Sequence, residues 1–396
     1  LIPVFDLGLQ PLANDFCAEE EERAGFAPLK VLLCPNCHLA QLSVTVDPTI
    51  LYRRYLYVTS TSKTMLDHFQ YLWELLPINE PVPRVLEIGS NDGLFLEFIK
   101  HQGCEVVGVD PSLNLSKISG ERGVCTYNGF WNQAFAEANP GIRHFEPDFI
   151  FARHVFCHVD DWRDFIAGIE LVSTVETLTC IEVPYVGDLL EKGEFDTIYH
   201  EHTSYLSVKS IAKLLEGTKL RLHRIEKLAI HGGALLVMIR HKDSKDAPHK
   251  SVSEYFRNEN VGLEAWRDFA VRCQGKIEAL RSVVRKAKSE GKRVVGYGAS
   301  AKSTVWLNAC GFTRKEIDYI TDNTMGKLYK LSPGNDIPIV NSDNLHYDQP
   351  DFAIMFCWNF AEEVIAKEKI FLEKGGKWVI PHPNIKVIDG SGEVVL

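Results

Sequence analysis

Val85-Leu86-Glu87-Ile88-Gly89-Ser90-Asn91-Asp92-Gly93-Leu94-Phe95-Leu96 is an apolar run that breaks into a short, acidic, glycine-bearing turn and then becomes apolar again. It reads as strand, loop and helix. Gly89 and Gly93 let a ligand approach the main chain, and a helix from Leu94 to Lys100 would turn its first amide N–H groups toward that ligand. Twenty-one residues beyond Gly89, a second apolar run, Glu105-Val106-Val107-Gly108-Val109, ends in Asp110. An acidic residue about 20 positions past such a turn is the usual partner of ribose hydroxyls in a doubly wound sheet. A dinucleotide fingerprint needs a second glycine two positions after Gly89, where a pyrophosphate lies against the backbone, and this chain has Asn91 there.

The spacing Glu87-x-Gly89-x-x-x-Gly93, followed by Asp110 and Pro111, resembles instead the nucleoside loop of class I S-adenosylmethionine-dependent methyltransferases. Their cofactor carries a sulfonium and no phosphate, and an acidic turn suits a cation. The resemblance implies a cofactor set of Glu87, Gly89, Asn91, Asp92, Gly93, Asp110 and Pro111. The bland alternative is a strand-to-helix turn with chance glycines.

Outward from this stretch, residues 82–240 alternate strand and helix patterns. Pro147 to Ala152, Leu178 to Val183, Leu220 to Lys227 and Ala234 to Arg240 read as further strands, which predicts an α/β doubly wound sheet closed by a hairpin near Gly232-Gly233. Ligands in such sheets sit at the carboxyl ends of the strands, so the loops after Ala152 and Val183 carry the chemistry. The first holds Arg153-His154-Val155-Phe156-Cys157-His158. The second arrives at Asp196-Thr197-Ile198-Tyr199-His200-Glu201-His202-Thr203-Ser204-Tyr205, too polar for a core and too aromatic for a solvated loop. His200 and His202 lack the His-Glu-x-x-His spacing of a zinc protease, so an acid–base cluster is the better reading.

Composition narrows the partners. Lys plus Arg number 43 against 53 Asp plus Glu, a net charge of −10, with no basic cluster, which disfavours nucleic acid and anionic membranes. No run of about 18 apolar residues and no leader-like N-terminus is evident, so the expectation is a soluble, cytoplasmic chain. The length of 396 residues suggests two or three domains, and oligomeric state is not legible, a monomer being compatible.

Toward the N-terminus, Cys34-Pro35-Asn36-Cys37 follows a short strand and reads as a zinc knuckle supplying half of a tetrahedral site. Cys17 has no mate, and a preceding Cys-x-x-Cys is absent from this numbering. A reduced pair in a loop-rich domain is the competing reading. Tyr52, Tyr55 and Tyr57 are more often boundary residues than ligands, but as a hydroxyl cluster beside the cofactor domain they offer a substrate wall. The spacing of Met65, Leu66, Phe69, Leu72, Trp73 and Leu76 then predicts a one-faced helix capped by Ser62.

Lys250 to about Glu290 reads as a long helix or helix pair with Trp266, Phe269, Cys273, Ile277, Leu280 and Val284 on one face. A second strand-turn-helix follows, in which Gly296-x-Gly298-x-x-Ala301 with Lys302 matches a diphosphate-binding pattern for a nicotinamide dinucleotide or a nucleotide sugar.

Taken together the chain resembles, almost end to end, the S-adenosylmethionine-dependent sugar C-methyltransferases of deoxysugar biosynthesis. The resemblance rests on Pro11-Leu12-Ala13-Asn14 with the cysteine knuckle, on Leu86 to Gly93, Gly108-Val109-Asp110-Pro111, Tyr199-His200-Glu201-His202, His231-Gly232-Gly233, and Gly296-Tyr297-Gly298-Ala299 with Lys302. It implies a zinc-binding domain over 1–62 with Cys34 and Cys37 as visible Zn²⁺ ligands, a methyltransferase domain over 63–245, and a Rossmann-like nucleotide-sugar domain over 246–396. The implied reaction is methylation of a carbon, C3, beside the ketone of a nucleotide-linked 4-keto-deoxysugar. His202 is then the base, Glu201 an orienting carboxylate, and Tyr199 and His158 donors to the enolate oxygen. Tyr55, Tyr57, His200, Tyr297, Gly298 and Lys302 would contact the substrate. The rivals are an O- or N-methyltransferase on another small molecule and an NAD-dependent nucleotide-sugar oxidoreductase.

Overall fold

The computed structural model describes residues 1–51 and 63–394, so Tyr52, Tyr55, Tyr57 and the expected cap Ser62 lie outside the described residues. An N-terminal sheet holds β1 (Ile2–Pro11), β2 (Phe26–Leu33) and β3 (Ala40–Leu42). The central sheet holds β4 (Arg84–Ile88), β5 (Glu105–Asp110), β6 (Cys125–Asn128), β7 (Phe149–Arg153) and β8 (Leu178–Pro184). After β9 (Ser204–Tyr205) it is completed by β10 (Leu220–Leu228) and β11 (Ala234–His241), giving the order β10-β11-β8-β7-β4-β5-β6. Strands β4 to β8 run parallel, while β11 lies antiparallel to both β8 and β10. That is the seven-stranded class I methyltransferase order with its terminal hairpin.

Both faces of this sheet are covered, which is why β7 reads as an unbroken apolar run rather than an alternation. Leu86, Ile88, Ile150 and Ala152 pack toward the helix Trp162–Val172, and Val85, Phe149 and Phe151 toward Lys63–Glu74 and Leu94–His101. Leu66, counted on the buried face of that first helix, is 44% exposed instead. β6, the polar Cys-Thr-Tyr-Asn, escaped the apolar pattern because it is an edge strand. Register puts Ile88 beside Val109 and Ala152, and Arg153 beside Glu182, so Gly89, Asp110, Arg153 and Pro184 share one rim.

The expected helix pair is present as Lys250–Asn258 and Leu263–Ser289, with Trp266, Phe269, Cys273, Ile277, Leu280 and Val284 all buried. It leads into a second sheet of seven strands: β12 (Val294–Tyr297), β13 (Ile320–Thr321), β14 (Ile339–Val340), β15 (Phe352–Met355), β16 (Lys377–Ile380), β17 (Lys386–Asp389) and β18 (Gly392–Val394). Its parallel part is β14-β13-β12-β15-β16, and β17 and β18 continue it antiparallel.

The N-terminal sheet is not self-contained. Its fourth strand is β9, pairing Ala40 with Tyr205 at the end of the histidine-rich decapeptide. Its core, with Phe5, Leu29 and Val31, is continuous with Trp266, Phe269, Trp306 and the inner face of the last sheet. Three sheets therefore converge on residues 194–205. Among the described residues no helix is long and apolar enough to cross a membrane.

Candidate functional site

Gly89 and Gly93 have left-handed φ values of 72° and 76°. A Cβ on Gly89 would stand 2.0 Å from Val155 Cγ2, and one on Gly93 2.4 Å from Ser119 Oγ, so neither position admits a side chain without movement. Asn91, also left-handed at φ 52°, donates its amide to Asp110 Oδ2 at 2.9 Å, and the Ser112 amide donates to Oδ1 at 2.8 Å. Asp110 thus ties the loop to the end of β5. Burial pushes its carboxyl up, and the two amides oppose that shift. Pro111 continues the rim, partly buried.

Glu87 is fully buried, with Oε1 held by Arg153 Nε at 2.8 Å and Nη2 at 2.7 Å, while Oε2 is buried without a hydrogen-bond partner. That orphaned oxygen and the bare loop fit a ligand with an ammonium and a sulfonium, so Glu87, Gly89, Asn91 and Asp110 would hold S-adenosylmethionine. Asp92 departs from expectation. Its carboxylate turns inward, accepting from the Leu94 amide at 3.4 Å and pairing with Arg122 at 3.3 Å, because the helix start needs an acceptor there. Gly89→Ala should weaken S-adenosylmethionine binding roughly 10–100-fold, about 1.4–2.7 kcal/mol, by titration calorimetry. Val155 is β-branched and has little rotameric room to yield.

Val155 also links this loop to the histidines, since its carbonyl accepts from the His158 amide at 2.8 Å. The His158 and His202 rings lie 5.0 Å apart, edge to face. His202 Nδ1 is 2.7 Å from the Thr197 carbonyl and its Nε2 2.8 Å from the Tyr199 hydroxyl. A carbonyl only accepts, so Nδ1 carries the proton and Nε2 is the lone-pair nitrogen, accepting from Tyr199. Burial, reinforced by the neighbouring His158, holds the imidazole well below the usual histidine range and hence neutral.

His158 Nδ1 lies 2.6 Å from the Glu201 carbonyl, and its ring also hydrogen-bonds the main chain of His154. Burial pushes it down to about 4. Bonded to main-chain carbonyls, His158 braces His202 rather than pointing a donor at an enolate oxygen. Glu201 accepts from Asn14 Nδ2 at 2.8 Å, its other oxygen is buried without a hydrogen-bond partner, and burial raises its carboxyl. His200, expected at the substrate, is fully buried with Nε2 3.3 Å from the Ala27 carbonyl, and joins the decapeptide to β2 instead. Residues 199–202 form a turn, with the His202 amide donating to the Tyr199 carbonyl at 2.9 Å, which brings 199 and 202 together and leaves 200 facing β2.

Cys157, His158 and His202 present ligand atoms within 4.8 Å of one another. Both nitrogens of His202 are already committed and burial raises the Cys157 thiol to about 12, so this is a packed acid–base group rather than a metal centre. Cys34 and Cys37 share one turn, and the amides of Cys37 and Asn36 lower the Cys34 thiol, as a knuckle requires. No third described ligand joins them within metal-binding distance, so the donor set is half complete. Cys17 sits elsewhere, bridged to Leu331.

The C-terminal loop departs most from expectation. Ser300 and Ser303 form a reciprocal capping box, the Ala299 amide donates to Asp322 Oδ2 at 2.8 Å, and the Gly298 amide donates to the Thr321 carbonyl at 2.8 Å. The amides of Gly298, Ala299, Ser300 and Ser303 are thus engaged within the domain. Tyr297 is buried, donating to Glu368 at 2.9 Å, and Lys302 turns away to lie over Trp358 with Nζ 4.0 Å from the ring centroid. Gly298 serves the close approach of Cys357, whose Sγ would be 3.1 Å from a Cβ there.

Several contributors were not singled out from the sequence. Glu182 on β8 holds two imidazoles, His68 at 2.8 Å and His154 at 2.7 Å. Trp358 and His382 sit just past β15 and β16, at the carboxyl ends of parallel strands, so the rule that located His158 would have flagged them too.

This sheet order, with a bare acidic loop opposite a neutral buried imidazole, defines a class I S-adenosylmethionine-dependent methyltransferase. Three family profiles match the chain: a C-methyltransferase C-terminal domain over 229–383, a methyltransferase domain over 58–225 and a zinc binding domain over 1–52. C-methyltransferase NovU of Streptomyces niveus is 33% identical over 400 residues, covering 98% of this chain and 95% of that protein. The chain belongs to the C-methyltransferase family. Among solved structures, a SAM-dependent methyltransferase from Thermotoga maritima is 20% identical over 46% of this chain and 89% of its own, with a TM-score of 0.36. One from Aquifex aeolicus is 15% identical over 49% and 99%, with a TM-score of 0.35.

Proposed function

We propose that this C-methyltransferase acts on C3 of a nucleotide-linked 4-keto-deoxysugar, the carbon beside the ketone, through an enolate. The observation that carries the reading is His202: Nδ1 locked on a carbonyl, Nε2 left as the basic nitrogen, and the ring kept neutral by burial. O- and N-methylation present a nucleophile that needs no carbon-bound proton removed, whereas a carbon acid requires such a base within reach. S-adenosylmethionine, when bound, supplies an electrophilic methyl group. His202 takes the proton, the Tyr199 hydroxyl yields Nε2 as substrate enters, and Glu201, held by Asn14, accepts from a sugar hydroxyl through its unpartnered oxygen. The NAD-dependent alternative is less favoured, since the Gly298, Ala299 and Ser300 amides of the second glycine loop already have acceptors.

We assign a structural Zn²⁺ to Cys34 and Cys37, with two more ligands than this knuckle supplies and no part in the chemistry. The division into 1–62, 63–245 and 246–396 is kept as a working one. The ten free cysteines suit a reducing cytoplasm. The test is incubation with labelled S-adenosylmethionine and a panel of 4-keto nucleotide sugars, locating the methyl group by NMR. The expected product carries it on the carbon next to the ketone, and in the absence of the methyl donor that carbon of the substrate exchanges its hydrogen for deuterium from heavy water. A methyl group on oxygen or nitrogen would overturn the proposal.

A further inference from the structure

The C-terminal domain reaches the histidine cluster through Lys302, in the first turn of the helix Ala301–Cys310. Its Nζ lies over the Trp358 ring, is buried, and has no hydrogen-bond partner. Glu194, from the loop before the decapeptide, is 4% exposed, and its Oε1 also lacks a hydrogen-bond partner, with Lys192 Nζ at 3.7 Å. Gly232, in the turn between β10 and β11, runs between them. A Cβ there would stand 2.9 Å from Trp358 Cη2 and 3.3 Å from Glu194 Oε2. Trp358 joins these groups to the decapeptide, its Nε1 donating to Asp196 at 2.7 Å, and the Lys302 charge acts on Glu194, Asp196 and His202.

A buried donor and a buried acceptor left unpaired cost roughly 1–3 kcal/mol each, and native proteins keep few of them without a reason. A ligand that pairs both is such a reason. A diphosphate is a poor one: Asp196 is an ionised neighbour and Glu194 another carboxyl, so a dianion would meet repulsion. An uncharged ring bearing both a ketone and hydroxyls matches an unpaired donor beside an unpaired acceptor.

We propose that Lys302 donates a hydrogen bond to the ketone oxygen of the substrate and holds its charge as the enolate forms, while Glu194 accepts from a hydroxyl of the same ring. The inference rests on the keto-sugar reading above. In that step the C–H bond breaks, its proton goes to His202, and its electron pair forms the C=C bond as the ketone electrons move to oxygen. The enolate carbon then attacks the sulfonium methyl, the S–CH₃ bond breaks, and the thioether leaves. Fixed charge placed where negative charge develops contributes to the rate rather than to ground-state binding.

The test is Lys302→Met, close in volume, assayed with the 4-keto nucleotide sugar that the wild type methylates. We expect kcat to fall roughly 10²–10³-fold. Solvent deuterium exchange at the reacting carbon, followed without a methyl donor, should fall in parallel, with KM within about threefold and S-adenosylmethionine affinity unchanged. Lys302→Arg should recover part of both rates. Should the methionine variant fail to fold, Lys302→Gln must show the same paired loss. A raised KM with kcat and exchange intact would assign Lys302 to the charged tail of the substrate, and a lost kcat with exchange intact would remove it from enolisation. Either overturns the proposal. A wild-type enzyme that methylates no keto sugar would instead sink the substrate reading.

Discussion

His202→Asn should lower turnover by roughly 10²–10⁴, about 3–5 kcal/mol in transition-state stabilisation, with S-adenosylmethionine binding, measured by titration calorimetry, intact. Asparagine can still meet the Thr197 carbonyl, so the local fold is kept and only the lone-pair nitrogen is lost. Tyr199→Phe separates two roles for the phenol. The hydroxyl donates to Nε2 at 2.8 Å without being the acceptor of last resort, so its removal should cost less than about tenfold. A loss as large as that of His202→Asn would make the phenol an obligatory relay. The pH profile carries the sign of the buried imidazole. His202 is the active base when neutral, and burial depresses its proton affinity, so kcat/KM holds as pH falls through 6.5 and declines only below it. An acid limb centred at or above 6.5 would assign the titration to another group.

The fold was legible where burial imposes a period. β4, β5, β7 and β8 are covered on both faces, so Phe149 to Ala152 are all apolar and Val85 to Ile88 are apolar except for Glu87, whose carboxylate is met by Arg153. β6 and the antiparallel β18 sit at sheet edges, where polar residues are tolerated, and left no pattern to read. The candidate site was legible in its clustering and less so in its orientation. Tyr199 and His202 meet through a hydrogen bond, while Glu201 reaches Asn14, His200 faces β2 and Asp92 faces Arg122. Which way a side chain turns in an irregular loop is set by contacts with β9 and the N-terminal sheet, far away in sequence. The Gly298 loop shows the same limit. Its spacing fits a diphosphate motif, yet Asp322, Ser303 and Ser300 take the amides of Ala299, Ser300 and Ser303.

Asp196→Ala should destabilise the protein by roughly 3–5 kcal/mol, the range for stripping one partner from a buried, hydrogen-bonded charge. Asp196 is fully buried and belongs to the loop before Tyr199, whereas its partners come from the C-terminal domain. Oδ2 accepts from Trp306 Nε1 at 3.1 Å and from Trp358 Nε1 at 2.7 Å, and Oδ1 faces His382 Nε2 at 3.3 Å. Burial alone would raise this carboxyl. The His382 ring, the Lys302 charge and the Trp358 donor outweigh it and bring it to about 2. Burial lowers His382 as well, so at neutral pH the ring is neutral, with Nδ1 3.4 Å from Lys276 Nζ, and the ionised state of Asp196 leans on Lys302 and the indoles. Its folded value lies below its unfolded one, so the stabilisation is present above about 3.8 and lost as pH falls toward about 2. Alanine leaves two buried indole N–H groups unpaired, while Asp196→Asn keeps one acceptor and should cost only about 1–3 kcal/mol. The order to look for in urea is a shift of tryptophan emission to the red before the central sheet melts, because Trp306 and Trp358 are the groups Asp196 docks. With that docking loosened, Trp358 and the Lys302 lying over it lose their fixed place against the decapeptide, and turnover should fall in Asp196→Ala even at temperatures where the methyltransferase sheet remains folded.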